Sequence, residues 1–147
     1  MPPKRKAPTE PFAPNKKYTI NHAPSQRLNV YVFGEGGSGE LGLGTAKKAK
    51  DVKRPRLNPF LLPDKVGVVQ VATGGMHVVA LTHNNSILTW GVNDQGALGR
   101  DTTWEGGLRD LDEEEDSDDE ADDNGLNPHE STPAAVDWSQ VKLPQRR

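Results

Sequence analysis

Two copies of one glycine-punctuated motif limit what this chain can fold into. The first reads Phe33-Gly34-Glu35-Gly36-Gly37-Ser38-Gly39-Glu40-Leu41-Gly42, the second Trp90-Gly91-Val92-Asn93-Asp94-Gln95-Gly96-Ala97-Leu98-Gly99. Both follow aromatic-Gly-x-x-x-x-Gly-x-Leu-Gly, and Phe33 and Trp90 stand 57 positions apart. Recurrence at such a period marks an array of small supersecondary units, none of which buries its apolar face alone. The chain should therefore need more repeats than it carries.

Composition narrows the folded part. Only 33% of the 147 residues are hydrophobic, and charge is spread unevenly. Residues 1–27 are basic and proline-rich while residues 110–123 are nearly all acidic, so the net charge of −3 says little about partners. Between these stretches, residues 28–100 hold the strand-like apolar runs. That is small for an independent core, since domains of ~60 residues are already marginal. There is no cysteine, which excludes disulfides and cysteine-based zinc sites in these residues. No apolar run approaches the ~18 residues of a membrane helix, and no secretory signal or membrane partner is expected.

Along the chain, Pro2, Pro3, Pro8, Pro11, Pro14 and Pro24 interrupt any helix or ladder, so residues 1–27 read as a disordered basic tail. Strands are expected over residues 28–33, closed by Gly34; 66–73, ending at Gly74-Gly75; 77–82, ending at Asn84-Asn85; and 87–90. A short edge strand is expected at 59–63, bracketed by prolines, after a basic connector over 47–56. No segment shows a sustained helical period. Residues 105–130 read as an acidic, disordered insertion whose Ser117 suits an acidophilic kinase. Residues 131–147 open a further, incomplete unit, in which 133–138 looks like the proline-led segment at Pro59. Short strands with turn chemistry every few residues give an antiparallel sheet, and radial repetition of that sheet gives a propeller.

Gly34-Glu35-Gly36-Gly37-Ser38-Gly39 matches the dinucleotide fingerprint G-x-G-x-x-G literally, but the mechanism fails. That site needs a helix opening at the last glycine, and Gly42 and Gly44 disfavour one. Glu40 follows Gly39 where a phosphate-binding loop of the Walker type requires lysine. The second copy has Asn93 and Asp94 in place of Gly36 and Gly37, so the cradle is not what repeats. What repeats is Gly34/Gly91, Gly39/Gly96 and Leu41-Gly42/Leu98-Gly99, a glycine-locked turn with a leucine plug. No nucleotide or other cofactor is expected.

The succession Val69-x-Val71-Ala72-x-Gly74-x-x-His77, Ala80-Leu81, Trp90-Gly91-x-Asn93-x-x-Gly96-Ala97-Leu98-Gly99 resembles the repeat of the regulator of chromosome condensation family. The connector Lys53-Arg54-Pro55-Arg56-Leu57-Asn58-Pro59-Phe60 and the acidic insertion look like the fungal version. The resemblance covers residues 30–103 and, more weakly, 131–138. It implies an all-β, seven-bladed β-propeller of four-stranded blades, of which this chain would form about one complete blade plus parts of two. Residues 28–104 would be the propeller part, with residues 29–33 pairing with strands from the far C-terminus. The chain would then be a fragment or a truncated gene product.

The resemblance also implies a function: guanine-nucleotide exchange on the small GTPase Ran at chromatin, supporting nucleocytoplasmic transport and mitosis. Exchange factors need no nucleophile or base, because they act by differential binding of the partner's states. Asn93 and Asp94, with Glu35 in the first copy, would meet a basic GTPase surface; turn formation is the competing reading for these residues. Gly37 stands where the family tends to have an acidic residue. The catalytic wedge lies in later repeats, so this chain alone should lack exchange activity. His77, at the Gly-x-x-His position, would be a buried structural histidine bonded to backbone; His22, His83 and His129 have no metal-site spacing with it. Lys4, Arg5, Lys6, Lys16 and Lys17 read as a signal for a nuclear import receptor or as DNA and nucleosome contacts, and the connector over 47–56 either grips phosphates too or is simply solvated. Two alternatives stay open: a propeller-repeat scaffold for another protein, and a chromatin adaptor using only its charged tails.

Overall fold

The computed structural model describes residues 22–106 and 125–139. The basic tail's Lys4, Arg5, Lys6, Lys16 and Lys17, Ser117 with its acidic run, and residues 140–147 lie outside them.

Two antiparallel sheets form. The first pairs β1 (Tyr31–Glu35) with β2 (Asp51–Leu57), and the second has the order β3 (Val68–Thr73), β4 (His77–Thr82), β5 (Ile87–Gly91), β6 (Ala134–Ala135). The four-stranded sheet is one propeller blade and the two-stranded sheet part of another. β3, β4 and β5 follow their β-branched and aromatic runs, and Asn85 takes the left-handed φ of 64° that the β4–β5 turn demands. The core lies where the sheets meet. Leu61, Val68, Ala80 and Trp90 form one buried cluster, flanked by Val30, Val66, Val78 and Leu88. Leu41, Leu43, Ala49 and Val52 form a second one, beneath β1 and β2.

Four expectations are corrected. The basic connector is not a loop: after a 3-10 turn at Lys47–Ala49 it becomes β2. Val52 supplies the buried anchor that makes this charged segment a strand. Residues 59–63 are not a strand, because the fully buried Asn58 accepts the Phe60 N–H at 2.9 Å and bends the chain into turns that sink Leu61 into the core. β1 does not stop at Gly34 but continues to Glu35. The insertion assigned to 105–130 is folded at its end, where Asn127 caps the short helix α1 (Pro128–Ser131), its side chain accepting the His129 N–H at 2.9 Å.

The repeat is exact to the hydrogen bond. The pairs Tyr31↔Leu57 and Val32↔Arg56 recur as Leu88↔Ala135 and Thr89↔Ala134, the first strand shifted by 57 positions and its partner by 78. The bond from Asn58 N–H to the Val30 carbonyl (2.8 Å) becomes that from Val136 N–H to the Ile87 carbonyl (2.9 Å). The segment expected to open another unit thus supplies the fourth strand of this sheet, and its Pro133 is equivalent to Pro55, not to Pro59.

The first glycine motif joins the two sheets. Gly42 lies against the Trp90 indole, which is 1% exposed and donates its N–H to the Glu40 carbonyl at 3.0 Å. A Cβ on Gly42 would sit 2.6 Å from the indole nitrogen, on a backbone with φ of +63°. Gly37 has open space and an ordinary φ. Gly42→Ala should lower the stability to urea by about 2 kcal/mol or more, whereas Gly37→Ala should change it by less than about 0.5 kcal/mol. Equal midpoints for the two variants would refute this account of the interface.

Candidate functional site

The two glycine loops share one skeleton. Gly34 and Gly91 have φ of 110° and 98°, Gly39 and Gly96 of 81° and 77°, Gly42 and Gly99 both of 63°. Gly39 N–H bonds the Gly36 carbonyl at 3.1 Å as Gly96 N–H bonds that of Asn93 at 3.2 Å, and the next turn repeats likewise at 3.0 and 2.9 Å. Only residues without a Cβ penalty hold all three left-handed positions, which is why these glycines recur. Leu98 is fully buried and Leu41 nearly so.

Function can differ only at positions the skeleton leaves free. Position 36 is closed, since a Cβ there would meet the Ala49 carbonyl at 2.6 Å. Its counterpart Asn93 is spent on its own loop. The Asn93 Oδ1 accepts the Leu98 N–H at 2.9 Å, while Nδ2 donates to the Thr102 hydroxyl at 2.8 Å and the Arg100 carbonyl at 3.2 Å. Asp94 is exposed at the loop tip, and among the described residues only its backbone carbonyl is engaged, by Ala97 N–H at 3.0 Å. Glu35 is also exposed, at the end of β1, in register with Asp51. Asn93 and Asp94 therefore sit together on the four-stranded sheet's loop, whereas Glu35 belongs to the other sheet.

Sequence reasoning missed the frame behind the second loop. Arg100 donates from Nε to the Thr89 hydroxyl at 3.1 Å and from Nη2 to the Thr89 carbonyl at 2.9 Å, tying the loop's end to β5. Burial lowers the pKa of this guanidinium and the Glu130 carboxylate opposes that; Glu130 also accepts from Thr102 at 3.1 Å. Beyond it, the Asp101 carboxyl is held below the usual carboxylate range by the hydroxyl and amide of Thr103. Polar residues in a loop give no periodic signal, so this network was invisible.

His77 is half-buried rather than buried, and among the described residues its ring makes no hydrogen bond. It packs instead on Gly74, where a Cβ would meet the ring at 2.6 Å. Together with Glu40, residues 73–78 line an open cleft of about 190 Å³. Glu40 is committed there to the Ser38 amide at 2.8 Å. Among the described residues no group of histidine, aspartate and glutamate side chains is placed to hold a metal.

Residues 29–81 match the Regulator of chromosome condensation (RCC1) repeat. The chain is 49% identical over 112 residues to the guanine nucleotide exchange factor SRM1 of Saccharomyces cerevisiae, covering 76% of this chain and 23% of that protein. It resembles the crystal structure of Prp20p from the same yeast, described with its binding to Gsp1p and histones, with a TM-score of 0.59 and 42% identity over 76% of this chain and 20% of that one. A structure of yeast RCC1 (Prp20) bound to Kap60 matches with a TM-score of 0.65 and 36% identity, over 90% of this chain and 27% of that one. The chain thus spans about a quarter of the length of these proteins.

Replacing Asn93 by alanine strands the buried Leu98 N–H, and should cost about 1–3 kcal/mol. Asp94→Ala should cost less than about 0.5 kcal/mol. Chemical denaturation of both variants separates the residue that builds the loop from the one that faces outward; the opposite order would reverse these roles.

Proposed function

Since this chain belongs to the regulator of chromosome condensation family, we propose that it forms part of a guanine-nucleotide exchange factor for a Ran-like small GTPase. The carrying observation is the pair of geometrically equivalent loops, in a chain 49% identical to a yeast exchange factor over 112 residues. Asp94 and Glu35 are its contributions to the GTPase-facing surface, carboxylates that complement a basic partner, while Asn93 fixes the shape of the loop carrying Asp94. Exchange follows when such contacts favour the nucleotide-free partner over the GDP-bound one. No bond in the protein is made or broken, so it regulates an enzyme and needs no cofactor.

The setting is the nucleus, at chromatin, serving nucleocytoplasmic transport and the cell cycle. Lys4, Arg5, Lys6, Lys16 and Lys17 are the residues for a nuclear import receptor and for DNA or nucleosome phosphates. The binding of Kap60, Gsp1p and histones by one similar protein, yeast Prp20, supports these partners.

The test replaces the 112 matched residues of SRM1 with those of this chain and follows release of fluorescent GDP from Ran. The chimera should accelerate release to within about tenfold of SRM1, and Asp94→Ala in it should lower kcat/KM by about tenfold, within the range of one charged contact. This chain alone should leave release unaccelerated. A folded chimera without activity would overturn the reading.

A further inference from the structure

We propose that the 3-10 turn and β2 form a basic ridge that binds the phosphodiester backbone of duplex nucleic acid, without reading its sequence. The ridge goes beyond the exchange reading and does not rest on it. Lys47, Lys48, Lys50, Lys53, Arg54 and Arg56 are all exposed within ten residues, against one acid, Asp51. Among the described residues only Lys53 of these has an ion pair, with Asp51 at 3.8 Å, and both side chains are largely in water, where such a pair is weak. Arg56 reaches the Lys48 carbonyl at 3.4 Å, which keeps the turn beside the strand.

The ladder pushes part of the ridge outward. Between Val32↔Arg56 and Gly34↔Val52 one residue of β1 faces three of β2, so Lys53, Arg54 and Pro55 bulge from the pairing. The internal repeat fixes where this bulge lies in a complete sheet. β2 occupies the place of β6, the edge strand of the order β3-β4-β5-β6, and β1 the place of β5. Strands that complete the first sheet therefore add to β1 and leave the outer edge of β2 open.

Charge and proline at a sheet edge also guard against edge-to-edge pairing, but that purpose takes either sign. At the equivalent edge Pro133 and Ala134 stand where β2 has Pro55 and Arg56, so the fold does not ask for a cation there. The exposed side chains of the ridge are charged apart from one proline, with no apolar anchor such as a protein interface uses at its centre. A row of mobile point charges suits a uniform polyanion better.

The test is fluorescence anisotropy of a labelled random-sequence DNA duplex with the full chain, titrated between 50 and 200 mM salt. In the variant Lys47→Gln, Lys48→Gln, Lys53→Gln, Arg54→Gln the salt slope should fall by up to about 3.6, near 0.9 for each phosphate no longer neutralised. Its affinity at 100 mM should drop at least about tenfold, with an unchanged circular dichroism spectrum. A second variant with glutamine at Lys4, Arg5, Lys6, Lys16 and Lys17 should retain the ridge's share of the slope. A folded ridge variant with an unaltered slope would overturn the proposal, and so would competition by polyglutamate as strong as by unlabelled DNA, which would indicate an acidic protein partner.

Discussion

The contact between Trp90 and the first glycine loop is the constraint on which the rest of the structure depends. It is a long-range contact of the most exacting kind: a large ring, 1% exposed, packed against a backbone that can carry no Cβ. Burying an indole is worth about 2–3 kcal/mol, and its N–H would be costly without the Glu40 carbonyl. Because one loop satisfies both demands, the two sheets acquire a fixed relation. The same ring closes the cluster of Leu61, Val68 and Ala80. A glycine is required on one sheet because an aromatic is required on the next, and this reciprocal need is why the motif has both at fixed spacing.

That coupling explains what was legible from the residues. The glycines, leucines and aromatics recur because backbone φ and packing leave few alternatives, so the repeat, β3 to β5 and the propeller architecture could be read directly. β2 could not, because three cations, an acid and a proline mask its one buried residue, Val52. Nor could the turn at 59–63. Its apolar Pro-Phe-Leu-Leu-Pro run has strand composition, and only the buried Asn58, which also donates to the Leu41 and Gly42 carbonyls at 3.3 and 2.9 Å, shows that the chain bends. The site was half legible. Asp94 lies exposed on a repeated loop as its position suggested, but the commitment of Asn93 to Leu98, Arg100 and Thr102 depends on contacts across the loop that spacing does not encode.

The two loops also show how a repeat diverges without losing its fold. Gly36 and Asn93 are equivalent in backbone and opposite in means. The first excludes a side chain so that its amide can reach the Lys50 carbonyl at 2.6 Å, and the second uses a side chain to bind its own loop. Each solution removes that position from the surface. The next residue, Gly37 or Asp94, is exposed in both loops and free to vary. A binding face built from such units gains or loses a carboxylate at little cost to stability, because the skeleton beneath it is satisfied independently.

The same comparison identifies unfinished surface. Phe33 is 65% exposed and Trp90 1%, though they hold equivalent positions in the motif. Side-chain chemistry does not account for so large a difference; neighbours do. Trp90 has β4 beside its strand and a glycine loop over its ring, whereas β1 has β2 on one edge and, among the described residues, no strand on the other. Tyr31, equivalent to the partly buried Leu88, is likewise 57% exposed. An aromatic pair of this size is poorly stable in water, so the first sheet calls for a strand along β1 and a glycine loop against Phe33. These are the elements one further repeat supplies, and the proteins that resemble this chain are more than three times its length. The ridge on β2 lies on the opposite edge, and completion of the sheet would leave it in solvent.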